Sequence, residues 1–262
     1  PHISPDDMPR GAHPRQWVRA PDLDELARWP DASRGRLRMV PLAPEWPGAT
    51  RYVEEAVARG VIVAIGHTAA TAAQIADAVS AGATMSTHLG NGAHAVMRRH
   101  PNYIWDQLAD DRLTAGFIVD GIHLPASFLT VAVRAKGVGR SVLVTDASAP
   151  ACATPGRYHL GDQGIDLTPD GRVVLAGGDR LAGSALRLDR AIANVVRFAG
   201  VSLADAVAMA TINPANAGRV GGRARGLAVG ERADLVRFRV DPDNGSIHVE
   251  ETYLTGERVF RH

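Results

Sequence analysis

Four titratable residues stand where β-strands should end: His67 in "VIVAIGHT", His88 in "TMSTHLGN", His123 in "FIVDGIH" and Asp146 in "VLVTDASAP". In parallel α/β architectures the loops at the carboxyl ends of the strands converge, and sites are built along that edge. Two neutral imidazoles with a carboxylate nearby suit a divalent metal such as zinc, and a further carboxylate can serve as base toward an acidified water. Each residue also has a plain structural reading. A strand-end histidine can be a satisfied core or capping residue, Asp146 can cap the turn that follows it, and His123 can bond a loop carbonyl. Four such residues at one structural address favour a metal-dependent hydrolase.

Weaker features surround these. The "GNG" run from Gly90 to Gly92 offers backbone N–H groups able to approach an anion, and Arg98 and Arg99 supply charge that can reach a phosphate. A solvated turn with two surface arginines is the competing reading. Glu45 in "PLAPEW" either faces the site or makes a structural ion pair. His94, His100 and His159 carry no supporting pattern and receive no role. The single cysteine, Cys152, excludes an intrachain disulfide and reads as a bland loop thiol of a reducing compartment, so the expected location is the cytoplasm. There is no nucleophile elbow, no Walker loop and no dinucleotide fingerprint; "GGRARG" near residue 221 lacks the strand-before, helix-after context.

The elements that must position the four residues are legible as alternation. Strand candidates "RLRMVPLAP", "VIVAIGHT", "TMSTHLG", "TAGFIVDGIH" and "SVLVTDASAP" alternate with helical patterns "GATRYVEEAVARG", "ATAAQIADAVSAG", "HPNYIWDQLADD" and "LPASFLTVAVRAKG". A β-hairpin excursion is expected near 157–178, followed by helices "SALRLDRAIANVVRFAG" and "SLADAVAMATINPANAG", the second capped by Ser202. The last stretch, with its Asn-Gly turn, reads as a small β unit. With 262 residues, 45% hydrophobic content and a formal charge of +1, a globular α/β chain with a small-molecule partner is expected. No basic excess suits nucleic acid, and no apolar run approaches the roughly 20 residues of a membrane span.

Through "LAPE", "GHTAAT", "THLGN", "DGIH", "VTDASAP", "LAGSAL", "ATINPA" and "GERADLV", in that order, the chain resembles the amidohydrolase superfamily and, within it, the N-acetylglucosamine-6-phosphate deacetylases. The resemblance implies a (β/α)₈ TIM-type barrel over residues 1–221 and the C-terminal part of a small β-sandwich over 222–262. It casts His67 and His88 as ligands of one or two divalent ions, zinc first, and Asp146 as catalytic acid/base. His13 in "RGAHP", His123, Asn91, Gly92 and Arg99 become substrate-binding residues, the arginine reaching the partner's site in a homodimer. The implied substrate is an N-acetylhexosamine 6-phosphate, hydrolysed to an amino sugar phosphate and acetate. The opening "PHISPD" then falls just past a His-Leu-Glu-Gly element bearing a third ligand, so the expectation is a C-terminal portion of a longer enzyme, its barrel incomplete at the N-terminus. Departures fall at the phosphate end: "NGAHAV" where the family has Asn-Ala-Met, and "RHPN" for Arg-Glu-Pro-Gly. They leave room for another amidohydrolase acting on a cyclic amide or a different N-acyl group. A sugar-phosphate-binding homologue without activity is the reading from outside enzymology.

Overall fold

The computed structural model describes residues 1–223 and 225–262, so Ala224 of the "GGRARG" run lies outside the described residues. Contacts divide the described chain into two compact units, Pro1–Phe117 with Gly177–Ala182, and Ile118–Ala176 with Gly183–His262.

The first unit opens on two helices that periodicity does not announce. Helix α1 (Asp7–Arg10) is capped by the Asp6 carboxylate accepting from the Met8 N–H. Helix α2 (Leu23–Ala32) is capped by Asp22, which accepts from the N–H groups of Asp24 and Glu25. After them the expected alternation appears: β1 (Met39–Leu42), α3 (Ala49–Ala58), β2 (Ile62–Ile65), α4 (Ala72–Ser80), β3 (Met85–Ser86), α5 (Tyr103–Ala109) and β4 (Thr114–Ile118). The pairs Met39↔Ile62, Ala64↔Met85 and Met85↔Thr114 are all parallel, which is what intervening crossover helices require. Every residue of β2 is buried, as expected of a parallel strand covered on both faces. The core gathers Leu42, Val53, Val63, Ile65, Ile75 and Leu113. A capping box between Thr71 and Gln74 starts α4 shortly after the β2 turn.

The second unit holds α6 (Ala126–Lys136) and β5 (Ser141–Val144), then β6 (Gly156–Leu160), β7 (Gln163–Leu167) and β8 (Arg172–Leu175). The excursion is therefore larger than the expected hairpin: β6, β7 and β8 pair antiparallel in succession, because "TPDG" turns the chain a second time. After β9 (Leu181–Ser184) come α7 (Leu188–Ala199), α8 (Leu203–Ala210) and α9 (Ile212–Ala217). Ser202 caps α8 as expected, but the single helix read through "SLADAVAMATINPANAG" is two. Pro214 has no N–H to offer the preceding turn and its ring would crowd it, so the chain breaks at Thr211 (φ −132°, ψ −77°) and restarts. Asn213 then anchors the restart, donating to the carbonyls of Val138 and Ser141. The end of the chain is an antiparallel meander, β10 (Leu235–Val240), β11 (Ile247–Leu254) and β12 (Glu257–Arg261), its first turn carrying the expected Asn244-Gly245 pair. Among the described residues no helix is long and apolar enough to cross a membrane.

Candidate metal and substrate site

Three of the four strand-end residues adopt left-handed backbone: His67 at φ 49°, His88 at φ 27° and Asp146 at φ 50°. Among the described residues only seven non-glycine residues do so, and such conformations cost about 1–3 kcal/mol each and concentrate at functional sites. The residues chosen from sequence for their chemistry are thus also marked by backbone strain.

In the first unit the chain brings His67 and His88 together. Their Nε2 atoms face each other at 3.0 Å, with ring planes at 82° and centroids 4.7 Å apart. The Nδ1–H of His67 donates to the Pro9 carbonyl at 2.7 Å, which fixes the tautomer and makes Nε2, facing His88, the acceptor nitrogen. His13 stands edge-on to the His67 ring at 4.9 Å between centroids. Both donors suit a zinc or similar ion, since imidazole nitrogens bind at about 2.0–2.1 Å and two of them 3.0 Å apart fall within the span of one such ion. Among the described residues no group of three or more His, Cys, Asp or Glu side chains is assembled for a metal, so the donor set here is the two imidazoles.

Asn91 and Gly92 sit in the turn after His88. The Asn91 N–H bonds the His88 carbonyl at 3.0 Å, and its side-chain amide donates to the same oxygen at 3.3 Å. Gly92, at φ 54°, lies so close to His67 that a Cβ there would stand 2.6 Å from Nδ1, so the close approach of the turn to the ring requires glycine. Glu45 is a brace: its carboxylate accepts from the Thr68 hydroxyl and from the Ala69 N–H at 2.9 Å, holding the turn after His67. Arg99 lies on an exposed turn, its carbonyl accepting from the Asn102 amide at 3.1 Å.

In the second unit His123 is oriented by a residue that the sequence reading passed over. Asp120 Oδ2 accepts from His123 Nδ1–H at 2.6 Å, and Oδ1 accepts from the N–H groups of Ile122 and His123, each at 2.8 Å. Burial works against the charged carboxylate, yet the His123 and backbone hydrogen bonds win and hold Asp120 below its ordinary value. An aspartate three residues before a strand-end histidine is the signal that could have found it. Asp146 is exposed at the end of β5, its carbonyl accepting from the Ser184 N–H at 2.9 Å.

A second overlooked cluster is His94 with Tyr103 and Asp6. The Tyr103 hydroxyl lies 2.8 Å from both the backbone N and Nδ1 of His94, and His94 Nε2 lies 3.2 Å from Asp6 Oδ2. Burial raises the Tyr103 pKa, so the phenol remains a proton-bearing donor.

Parallel strands joined by crossover helices, with imidazoles at the strand ends, define a (β/α)-barrel fold of the kind that metal-dependent hydrolases use. The amidohydrolase family matches residues 35–259, and the chain belongs to that family. It is 35% identical over 258 residues to an N-acetylgalactosamine-6-phosphate deacetylase of Escherichia coli O157:H7, covering 98% of this chain and 66% of the relative. An N-acetylglucosamine-6-phosphate deacetylase of Vibrio furnissii is 33% identical over 251 residues, covering 96% and 61%. Among solved structures, the D267A mutant of the Mycobacterium smegmatis N-acetyl-D-glucosamine-6-phosphate deacetylase, in complex with N-acetyl-D-glucosamine-6-phosphate, superposes with a TM-score of 0.90 at 36% identity. That alignment covers 99% of this chain and 66% of the other. The Thermotoga maritima deacetylase gives a TM-score of 0.87 at 29% identity, covering 100% and 68%. The chain thus spans about two thirds of the length of these relatives.

Proposed function

We propose that the protein to which this chain belongs deacetylates an N-acetylhexosamine 6-phosphate, releasing acetate and the amino sugar phosphate. The observation that carries the reading is the His67–His88 pair, two imidazole Nε2 atoms turned to one point with the His67 tautomer fixed by a backbone carbonyl. A divalent ion held there, zinc by its preference for imidazole, supplies Lewis-acid polarisation of the amide carbonyl and acidifies the attacking water. Asp146 takes the water's proton and hands it to the departing amine. His123, held by Asp120, donates from its far nitrogen to the substrate. The Asn91–Gly92 turn and Arg99 receive the phosphate, whose binding energy orients the amide for attack. Arg99 does so across a homodimer, in the cytoplasm.

Relatives acting on the galactosamine and the glucosamine phosphate stand at similar identity, so the substrate class is proposed without the epimer. The test is acetate release from N-acetylglucosamine 6-phosphate, N-acetylgalactosamine 6-phosphate and their unphosphorylated parents, with and without a chelator. Turnover of a phosphorylated sugar that chelation abolishes and zinc restores is expected; turnover indifferent to chelation sinks the reading. The donor set of two imidazoles among the described residues favours one rival, a sugar-phosphate binder without activity. Tight binding with no acetate released would establish it.

A further inference from the structure

We infer that His94, with Tyr103 and Asp6, is a positioning unit for the candidate metal ligand His67; as a statement about metal binding this rests on the reading above. The His67 ring is held between two walls. One is the opening segment: the Asp6 side chain and carbonyl cap α1, accepting from the N–H groups of Met8 and Arg10, and the Pro9 carbonyl of that same turn receives the His67 Nδ1–H at 2.7 Å. The other is the turn from His88 to His94, which closes on the His88 carbonyl and lays Gly92 so near the ring that no side chain fits between them. His94 joins the walls. Its backbone N–H and Nδ1 meet the buried Tyr103 hydroxyl at the start of α5, and its Nε2 meets Asp6 at 3.2 Å.

One set of donors and acceptors satisfies every contact of the cluster. The Tyr103 oxygen accepts from the His94 backbone N–H, so its own hydrogen is free to point at His94 Nδ1. With that hydrogen directed at Nδ1, Nδ1 accepts and the imidazole proton sits on Nε2, aimed at the Asp6 carboxylate. Each donor in that arrangement has a receiver, and the imidazole spans Tyr103 and Asp6 as a strut of defined length. The strut links two stretches of the chain: His94 lies in "NGAHAV" and Tyr103 directly follows "RHPN".

The test uses the 262-residue chain, metal-free, with ¹⁵N-labelled histidine. In the parent the His67 Nδ1–H gives a slowly exchanging signal of a single tautomer. In His94→Ala that protection is lost, and zinc affinity, measured in the same samples by competition with a chromophoric chelator, falls about 10- to 100-fold, as for other residues that orient a ligand. Tyr103→Phe keeps the ring in the core and removes one oxygen; it loosens the signal and weakens zinc by roughly 2- to 10-fold, the worth of one hydrogen bond. This variant decides the matter if His94→Ala fails to fold. His94→Asn, whose Oδ1 can take the place of Nδ1, recovers part of the loss. Folded variants with an unchanged His67 signal and unchanged zinc affinity overturn the inference. A parent that binds no zinc while its His67 signal still responds to Tyr103→Phe would overturn the metal reading and leave the positioning role standing.

Discussion

His67 and His123 are both strand-end imidazoles fixed through Nδ1, yet they are fixed by opposite chemistry. His67 gives its Nδ1 proton to a neutral carbonyl, that of Pro9, whereas His123 gives its own to the Asp120 carboxylate at 2.6 Å. A carbonyl partner pins the tautomer without adding charge and keeps the proton off Nε2, which suits a metal ligand. A carboxylate partner pins the ring and places a negative charge behind it, which suits a group that donates a hydrogen bond where negative charge develops. The same residue type at two strand ends is thus held by a neutral oxygen in one case and by a charged one in the other. Glu45, occupied by Thr68 and Ala69, is by its partners a structural brace.

The comparison breaks most severely if the ligand side is wrong. In His88→Ala, bound zinc should fall to background by elemental analysis and acetate release by at least about 10³-fold, since the ion carries much of the charge stabilisation. Full activity in that variant would leave no ligand role. Next in size is Asp146→Asn, expected to lower kcat by about 10²- to 10⁴-fold, the range of a general acid–base group, with zinc content unchanged. A variant that loses both zinc and turnover would move Asp146 from the acid–base column to the ligand column. Smaller, and sharper, is Asp120→Asn. If the carboxylate orients a donor, kcat falls roughly 10- to 100-fold while zinc affinity holds; if His123 is a ligand instead, zinc affinity falls too.

How much of this was open to reading in the chain follows the range of each interaction. Strands β1 to β5 announce themselves because their apolar runs are short, bounded and separated by helical periods. Their end residues follow from that. Helix α2 was missed because its signal is its cap at Asp22, with Pro30 in its last turn arguing against a helix. The break at Thr211 was written in Pro214 and overlooked in favour of a continuous apolar pattern. The Pro9 carbonyl could not be read at all, since a backbone acceptor 58 residues away has no residue-type signature. His94 looked idle for a related reason: its meaning depends on Tyr103 and on Asp6, the latter 88 positions earlier, meeting it in space. Left-handed backbone at His67, His88 and Asp146 is equally silent in sequence, because only glycine advertises a positive φ.

The smallest expected effect probes the carboxylate side of the comparison through stability. The hydrogen bonds from His123 and the backbone hold the Asp120 pKa below its ordinary 3.8 although burial opposes them, so the native state prefers the ionised carboxylate more than the unfolded chain does. The sign follows by linkage. The contribution is fully present above the unfolded value of 3.8 and is lost as pH falls through it toward the lower folded value. Asp120→Asn removes the titration. Melting curves for parent and variant should therefore differ by a constant margin from neutral pH down to about pH 5 and converge below the ordinary aspartate range near 3.9. A margin that persists to the lowest pH at which the chain folds would mean that the charge on Asp120 contributes nothing. His123 would then be held by hydrogen-bond geometry alone, and the two imidazoles would differ less than their partners suggest.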